Sequence, residues 1–209
     1  MPNENYYKLN RSEMLQFLPA GLNSLLDVGC SEGGFGLLVK QTFNCIVWGV
    51  EPMEAPAFAA SKKLDKVFNA FFNDALSIDR QFDAITFNDV LEHMPDPWSV
   101  LKKCRSLLSD NGSIVASIPN ILYFHDFIGM LLSKDWKYEE AGIFDKTHLR
   151  FFTKKSIIRL FEESGYQVTS IEGIRPTDSK KFTLFNLATL GYWKEAQFLQ
   201  FAVTAKPVF

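Results

Sequence analysis

One segment sets the architecture of this chain: Leu25-Leu-Asp27-Val-Gly29-Cys-Ser31-Glu-Gly33-Gly34-Phe-Gly36. It begins as a short apolar run, which is typical of a parallel strand that is buried on both faces. The run stops at glycines, and a helical pattern follows up to Phe43. Glycines at such a turn let the backbone bend tightly and approach a bound molecule closely. The N–H groups that are free at the start of the next helix attract polar or anionic groups. The segment therefore predicts a ligand-binding loop after the first strand.

Strands alternate with helices on either side of this loop. After the first strand, further strands are predicted at residues 45–50, 66–72, 82–87, 113–118, 166–174 and 198–205. Helical patterns cover residues 5–18, 33–43, 55–64, 96–112, 121–133 and 153–165. The sequence predicts no helix in the long connection 175–196, so one of the last two strands is expected to run antiparallel. We therefore expect an α/β fold, namely a Rossmann-like, seven-stranded, mostly parallel sheet with an antiparallel edge strand and helices on both faces.

The length and composition are those of one globular domain. The chain has 209 residues, of which 47% are hydrophobic and 22% are charged. Domains usually have about 100–200 residues, so a single domain over residues 1–209 is expected. Lysine and arginine number 22 against 24 acidic residues, which gives a net charge of −2. This balance gives no support to nucleic-acid binding.

Cysteine, histidine and the apolar segments narrow the setting of the protein. The three cysteines form no CxxC pair and the three histidines are not clustered, so no metal site is expected. The first residues lack the basic and apolar regions of a signal peptide. The longest apolar stretch, residues 121–132, is interrupted by His125 and Asp126 and is too short to span a bilayer. A cytoplasmic protein without a transmembrane segment is expected.

The glycine loop resembles motif I of the class I S-adenosyl-L-methionine (SAM) methyltransferases, an acidic residue followed by Gly-x-Gly-x-Gly. Asp27, Gly29 and Gly33 match this motif, and Ser31 replaces its middle glycine. The resemblance implies that Asp27 anchors the methionine part of SAM. It also implies that a loop containing Gly29, Cys30, Ser31 and Gly33 passes beneath the cofactor.

Two further acidic positions follow this motif in the order that the family shows. Glu51 ends the second strand, where a carboxylate can accept hydrogen bonds from both ribose hydroxyls of a nucleoside. The family uses an acidic residue there for that purpose, and Pro52 would lie near the adenine. Asn73-Asp74-Ala75 resembles the Asp-Ala segment of the family. The resemblance implies that Asp74 accepts from the adenine amino group and that the N–H of Ala75 donates to the ring.

Residues 82–97 are similar to motif IV of the family and to the Leu-Glu-His turn that follows it. The resemblance implies that Asn88 and Asp89 line the cofactor, and that Glu92 and His93 face the reaction cleft. A structural role for His93, in which it hydrogen-bonds the loop, fits the sequence equally well. The matches cover about residues 22–120 and occur in the order and at the spacing of the family.

The acceptor is expected beyond the carboxyl ends of the strands, where α/β sheets bind their ligands. Residues 121–153 are interpreted as a substrate-side insertion or lid, and residues 1–20 as an N-terminal helix whose Tyr6 and Tyr7 can close over the cofactor. The insertion ends in Asp145-Lys-Thr147-His148-Leu-Arg150-Phe-Phe-Thr153. This run resembles a segment that is common in one subgroup of methyltransferases, whose members often accompany glycosyltransferases and cell-surface sugar pathways.

Four residues at this end are candidates for catalysis. His148 is the candidate general base, with Asp145 orienting it. Arg150 is a candidate for binding an acceptor carboxylate or phosphate, and His93 is placed near the methyl group. The alternative is that Asp145 and Arg150 form an ion pair that pins the loop, and that His148 caps a backbone carbonyl. Thr153 is expected to cap the next helix.

We therefore expect a methyltransferase that uses SAM and releases S-adenosyl-L-homocysteine (SAH). The expected acceptor is a small molecule methylated on oxygen, with sugars and cell-surface glycan precursors among the candidates. One alternative is a catalytically degenerate SAM-binding module that regulates a partner. Another is an NAD-dependent dehydrogenase, which Ser31 and the position of Asp27 disfavour. Nucleic-acid methylation is also disfavoured, because Asn88-Asp-Val-Leu stands where enzymes acting on base amino groups carry their motif. A monomer or homodimer is expected.

Overall fold

A computed structural model describes residues 11–73 and 75–208 of the chain. In these residues it has seven strands and six α-helices. The strands are β1 (Ser24–Val28), β2 (Ile46–Val50), β3 (Lys66–Phe68), β4 (Phe82–Asn88), β5 (Leu108–Pro119), β6 (Tyr166–Pro176) and β7 (Phe198–Pro207). The helices are α1 (Gly34–Phe43), α2 (Glu54–Ser61), α3 (Pro97–Leu107), α4 (Phe124–Ser133), α5 (Lys154–Glu163) and α6 (Lys180–Ala188). Short 3-10 helices lie at Ser12–Phe17, Leu91–His93 and Lys194–Gln197.

The strands form a sheet in the order β3-β2-β1-β4-β5-β7-β6. β1 to β5 pair in parallel, whereas β7 runs antiparallel to both of its neighbours, β5 and β6. The predicted fold class is confirmed, and the antiparallel strand lies one position in from the edge strand β6. After β1 the chain forms β2 and β3 on one side of this strand, and then β4 and β5 on its other side. The carboxyl ends of β1 and β4 therefore flank a crevice, which is where such sheets bind ligands.

Apolar layers cover both faces of the sheet. On one face, Leu26 and Ile85 belong to a buried cluster that includes residues of α3 and α5. On the other face, Leu25 belongs to a cluster that includes residues of α1 and Met14 of the first 3-10 helix. A strand that is covered on both sides has no solvent-facing positions, so its sequence is a continuous apolar run.

The segment between β6 and β7 differs from the prediction. The sequence predicts a loop over residues 175–196, but the structure has α6 and a 3-10 helix there. Ser179 caps α6, because its hydroxyl accepts a hydrogen bond from the N–H of Phe182 at 3.3 Å. The ring of Phe182 packs edge-on against Phe124 of α4, with 5.4 Å between the ring centroids. This contact couples α6 to the helix that follows β5.

Several other elements are shorter than predicted. α3 ends at Leu107, so residues 108–112 belong to β5, and the third strand ends at Phe68. The described part of the predicted N-terminal helix is the 3-10 helix at Ser12–Phe17, and Tyr6 and Tyr7 lie outside the described residues. Within the part of the chain that the structure describes, no helix is both long and apolar enough to cross a membrane.

Candidate active site

The loop after β1 has three residues in the left-handed conformation. Their φ angles are +72° at Gly29, +51° at Ser31 and +75° at Gly33. The N–H of Gly29 donates to the carbonyl of Val50 at 2.8 Å, which ties the loop to the end of β2. A Cβ atom on Gly29 would lie 2.5 Å from Cγ2 of Val90. This position therefore favours glycine both for its positive φ angle and for the lack of space. Ser31, which stands where the motif has its middle glycine, thus adopts a left-handed φ angle that favours glycine.

Asp27 lies at the base of this loop, buried near the end of β1. Its exposed fraction is 2%. Its Oδ1 accepts a hydrogen bond from the hydroxyl of Thr86, on the neighbouring strand β4, at 2.8 Å. Burial raises the pKa of Asp27 to about 7, and the nearby charge of Glu51 adds to this shift. Sequence reasoning did not identify Thr86, because its role depends on the pairing of β1 with β4.

Glu51 faces the same loop from the end of β2. Its Oε2 accepts from the N–H of Ser31 at 2.9 Å, and its Oε1 accepts from the N–H of Met53 at 3.0 Å. Burial raises the pKa of this carboxyl group. Each carboxylate oxygen has a second lone pair, so both remain able to accept from the hydroxyls of a ligand. The amide of Asn69 fixes the backbone here by donating to the carbonyls of Glu51 and Pro52 at 2.9 and 3.0 Å.

The other residues that were predicted to bind the cofactor are arranged in different ways. Burial raises the pKa of the Cys30 thiol, and this side chain packs closely over Gly49 of β2. The N–H of Ala75 donates to Oδ1 of Asn73 at 3.0 Å, so in this structure it closes a local turn. Asp74 lies outside the described residues.

Asn88 is the last residue of β4 and Asp89 follows it, and their side chains differ in their hydrogen-bond partners. Both polar atoms of the Asn88 amide are buried and have no hydrogen-bond partner among the described residues. Such groups are rare in native proteins unless a ligand or a water molecule satisfies them. The carboxylate of Asp89 instead forms a buried ion pair with Arg11 and accepts from Ser117 and Gln200. The oxygens of Asp89 thus contact β5, β7 and the N-terminal segment, and the place of this residue beside the cofactor stays a prediction.

Two imidazole rings meet at the start of the insertion. The rings of His93 and His148 form an edge-to-face pair with 4.7 Å between their centroids. Nδ1 of His148 lies 2.9 Å from the carbonyl of Ile143, and Nδ1 of His93 lies 3.2 Å from the carbonyl of Thr147. A carbonyl only accepts, so Nδ1 carries the proton in each neutral ring and Nε2 is left as the basic atom. Burial and the neighbouring His148 lower the pKa of His93.

Glu92 adds a carboxyl group to this pair. Its exposed fraction is 1%, and neither of its side-chain oxygens has a hydrogen-bond partner among the described residues. Burial raises the pKa of Glu92 to about 8. One ligand-type atom from each of Glu92, His93 and His148 lies within 4.8 Å of the other two. The Leu-Glu-His turn was the sequence signal for this acid, but its burial could not be inferred from the turn alone. The same three residue types are also able to hold a cation, and the absence of a metal stays a prediction.

Asp145 and Arg150 are not arranged as predicted. Oδ1 of Asp145 accepts from the backbone N–H and the hydroxyl of Thr147, at 2.7 and 2.6 Å, so the imidazole of His148 is oriented by the carbonyl of Ile143 instead. The guanidinium of Arg150 donates to the carbonyl of Pro95, and the predicted alternative of an ion pair with Asp145 is likewise not formed between these two described residues. Both side chains stabilise the loop in this structure. The predicted carbonyl contact of His148 is present, and it leaves the basic atom of the ring available.

A cavity of about 210 Å³ adjoins the buried carboxyl group. Arg11, Glu92, Ile143, His148, Arg175 and Gln200 contribute to its wall. The N–H groups of Leu149 and Arg150 both donate to the carbonyl of Glu92, at 2.9 and 3.0 Å, and hold the insertion against this wall. The wall also contains Asp89 and Asp145, so it combines two guanidinium groups, three carboxyl groups and one imidazole. Both guanidinium groups are paired with carboxylates, Arg11 with Asp89 and Arg175 with Glu13. Sequence reasoning missed Arg11, which is distant in sequence from every motif.

Comparison with known proteins supports an assignment to a family. A profile of the family described as "Methyltransferase domain" matches residues 3–171. Over 161 residues the chain is 27% identical to a ubiquinone biosynthesis O-methyltransferase of Vibrio atlanticus (strain LGP32). The aligned region covers 72% of this chain and 65% of that protein. The chain thus spans somewhat less than two thirds of that relative.

Solved structures share the fold at low sequence identity. A SAM-dependent methyltransferase from Archaeoglobus fulgidus has a TM-score of 0.63 and 19% identity, with 89% of this chain and 86% of that chain covered. An O-methyltransferase from neocarzinostatin biosynthesis, in complex with SAH and 1,4-dihydroxy-2-naphthoic acid, has a TM-score of 0.62 and 13% identity, with 94% and 53% covered. Together with the profile match over most of its length, the shared fold confirms the predicted resemblance: this chain belongs to the methyltransferase-domain family, whose class I members use SAM.

Proposed function

We propose that this chain is a SAM-dependent methyltransferase that transfers a methyl group to an oxygen atom of a small-molecule acceptor. One observation carries the proposal. Asp27 and Glu51 are buried at the carboxyl ends of neighbouring strands, on either side of a left-handed loop. The unpartnered amide of Asn88 lies at the end of the strand on the other side of β1. A nucleoside with two hydroxyls and an amino-acid part offers the donors that such acceptors require.

The residues of this loop fit SAM in the following way. When it is bound, the cofactor supplies an electrophilic methyl group on a sulfonium centre. Glu51 accepts from the ribose hydroxyls through the lone pairs that its two backbone contacts leave open. Asp27 holds the amino-acid part, and Asn88 donates and accepts beside it. Pro52, Asp74 and Ala75 are expected around the adenine. SAH is the expected product.

The cavity beside Glu92 is the proposed acceptor site. The names of the relatives favour an acceptor with a ring hydroxyl, because the Vibrio protein is an O-methyltransferase and the neocarzinostatin enzyme is seen with a dihydroxynaphthoic acid. Sugars and glycan precursors remain candidates on the same grounds, since they also present hydroxyls.

His148 is proposed to accept the proton of the acceptor hydroxyl at Nε2. The support is geometric, because the carbonyl of Ile143 fixes the ring with Nε2 as its basic atom. Glu92 is proposed to bind a second hydroxyl of the acceptor through its oxygens, which have no partner among the described residues. His93 then acts as a positioning residue that packs against the base. A group that removes a proton in the transition state typically contributes about 10²–10⁴-fold to the rate.

We also propose that residues 1–209 act as one methyltransferase domain, with residues 121–153 as its lid. In support of this, the insertion contributes Ile143 and His148 to the cavity wall, and its residues 131–140 are exposed. A cytoplasmic location, a monomeric or dimeric state and the absence of a nucleic-acid partner stay predictions of the sequence.

The test is a methyl-transfer assay with radiolabelled SAM and a panel of dihydroxylated aromatic acids and sugars. We expect His148→Ala to lower kcat by about 10²-fold or more with SAH affinity unchanged. His125→Ala is the matched control, because His125 contacts Thr177 and not the cavity. Unchanged turnover of His148→Ala across the pH range would rule this residue out as the base. SAH binding without transfer to any acceptor would favour the regulatory module, and loss of activity with a chelator would contradict the expectation of no metal.

A further inference from the structure

The outer face of α6 is apolar and uncovered in the described structure. Leu184 and Leu187 are 70% and 72% exposed, and Leu190 and Tyr192, which follow the helix, are 96% and 82% exposed. The opposite face is already used, because Phe182 packs against α4. Most helices at a protein surface are apolar on one face only. Because α6 is apolar on both faces, its exposed outer face is a candidate contact surface for a second partner.

The end of α4 extends this surface. Trp193 packs against Phe127 of α4 at 5.4 Å and against Tyr192 at 5.6 Å, measured between ring centroids. Leu131 follows Phe127 by one helical turn on the same side of α4, and Leu131 and Leu132 are 52% and 81% exposed. The two sets of exposed side chains thus converge at Trp193. We name them the α4–α6 apolar face, and its members are Leu131, Leu132, Leu184, Leu187, Leu190 and Tyr192.

α6 and the turn after it carry three lysines, between Asp178 on one side and Glu195, which pairs with Lys154, on the other. Residues 180–194 contain three lysines and no aspartate or glutamate, although the whole chain has a net charge of −2. Lys180 and Lys181 begin α6, and Lys194 follows the turn at its end. All three are exposed, and none of them forms an ion pair with another described residue. The apolar side chains are thus bracketed by cations at both ends of the helix.

We propose that the α4–α6 apolar face docks this chain onto the surface of an anionic lipid membrane. This goes beyond the proposed methyl transfer and does not depend on it. Exposed leucines next to lysines combine the two attractions that hold a protein segment at such a surface, burial of apolar area and attraction to anionic lipids. The leucines enter the boundary between head groups and acyl chains, and Lys180, Lys181 and Lys194 contact the anionic head groups. α6 has nine residues, which is about 13.5 Å of helix, so it lies on the bilayer and does not cross it.

A second copy of the chain fits this face less well. Most dimers have two-fold symmetry, so that each surface patch meets its own copy or a neighbouring patch. Contact through α6 would bring the three lysines of one copy close to the three lysines of the other. Like charges that face each other in this way oppose association. An anionic surface instead complements the lysines and the leucines together.

The test is sedimentation of the full chain with vesicles of phosphatidylcholine alone or mixed with phosphatidylglycerol. We expect binding to the anionic vesicles only, and weaker binding as salt rises. Lys180→Gln/Lys181→Gln/Lys194→Gln is expected to weaken it by about a hundredfold, roughly fivefold for each lysine. Leu184→Ser/Leu187→Ser/Leu190→Ser is expected to weaken it by at least about tenfold.

Phe58→Ser is the matched control for the leucine variant. Phe58 is 65% exposed but lies on α2, away from α4 and α6, so this change is expected to leave vesicle binding unaltered. Circular-dichroism melting checks that all variants fold. The proposal is overturned if the wild-type chain stays in the supernatant with anionic vesicles, or if the leucine variant binds as the wild type does. A dimer in light scattering that the leucine variant abolishes, without vesicle binding, would assign the face to a second copy and equally overturn it.

Discussion

At the scale of single residues, Gly29 is a position where the loop has no room for a side chain. We predict that Gly29→Ala lowers the free energy of unfolding by more than Gly21→Ala does. Both glycines have φ near +70°, at +72° and +74°, which costs an alanine about 1–2 kcal/mol. Only Gly29 also meets another side chain, since its Cβ would lie 2.5 Å from Val90. Overpacking of this kind typically adds about 1–3 kcal/mol, and urea denaturation measures the difference.

Gly21→Ala is the control for the backbone term, because nothing lies within 4 Å of its added Cβ. Removing the contact in Gly29→Ala/Val90→Ala should return part of the loss, which a double-mutant cycle would show as a favourable coupling. Equal losses for the two single alanine variants would contradict the close packing of this loop.

Asp27 gives a prediction on pH. Its pKa is raised from 3.8 to about 7 by burial, so the folded state binds a proton that the unfolded state has already released. The free energy of unfolding of the wild type should therefore fall as pH rises from about 4 to about 7 through this group. Asp27→Asn lacks the titration and keeps an acceptor for Thr86. We predict that thermal melts without ligand show Asp27→Asn gaining stability over the wild type as pH rises through that range.

The same variant should bind SAH more weakly, by about tenfold or more, because a hydrogen bond to a charged group is lost. Stability and binding then change in opposite directions, as is common where a buried polar group serves a ligand. A constant difference in melting temperature from pH 4 to pH 8 would contradict the raised pKa.

Sequence reasoning predicted the positions of site residues that depend on local chain geometry. Asp27 and Glu51 end strands next to a glycine turn, and neighbouring parallel strands bring such ends together. It did not predict the contacts that Asp89 and Asp145 make in the structure. The partners of Asp89, Arg11 and Gln200, are distant in sequence, so no local pattern could assign its carboxylate. Asp145 prefers a tight turn with Thr147, which competes with any contact to His148.

At the scale of elements, the N-terminus of α5 confirms that Thr153 caps this helix, as predicted. The hydroxyl of Thr153 accepts from the N–H of Ser156 at 3.3 Å, and the hydroxyl of Ser156 accepts from the N–H of Thr153 at 2.8 Å. We predict that Thr153→Ala lowers the free energy of unfolding by about 1 kcal/mol. Thr153→Ser should restore it. SAH affinity, measured by calorimetry, should be the same in all three proteins, and a large loss of affinity in Thr153→Ala would give this residue a role beyond the cap.

The success of the sequence in predicting elements depended on periodicity. Strands β1 and β2, most of β4 and the second half of β5 are apolar runs, and their side chains contribute to the buried clusters on both faces of the sheet. α6 was missed because Phe182, Leu184, Phe185 and Leu187 surround the helix axis and leave no polar stripe. Ser179 caps the start of α6. A serine that follows Pro176 and Asp178 so closely is also typical of a loop, so the sequence did not distinguish the two.

At the scale of the whole molecule, the sheet order explains why the site lies where it does. β1 lies between β2 and β4 and is parallel to both. Asp27, Glu51 and Asn88 therefore lie at the carboxyl ends of three adjacent strands. The pairing of Arg11 with Asp89 then joins the segment before β1 to the end of β4, and Gln200 of β7 joins the same network. The cavity wall is therefore assembled from parts of the chain that are far apart in sequence.

The central claim is that the loop between Asp27 and Glu51 binds the nucleoside cofactor of methyl transfer. Calorimetric titration of the full chain with SAH tests this most directly, with NAD as the comparison ligand. We predict micromolar binding of SAH, no binding of NAD, and loss of SAH binding in Glu51→Ala. Glu54→Ala is the matched control, because Glu54 is exposed in the first turn of α2 and is expected to leave the affinity unchanged. Absence of SAH binding in the wild type, or equal binding in Glu51→Ala, would contradict the account.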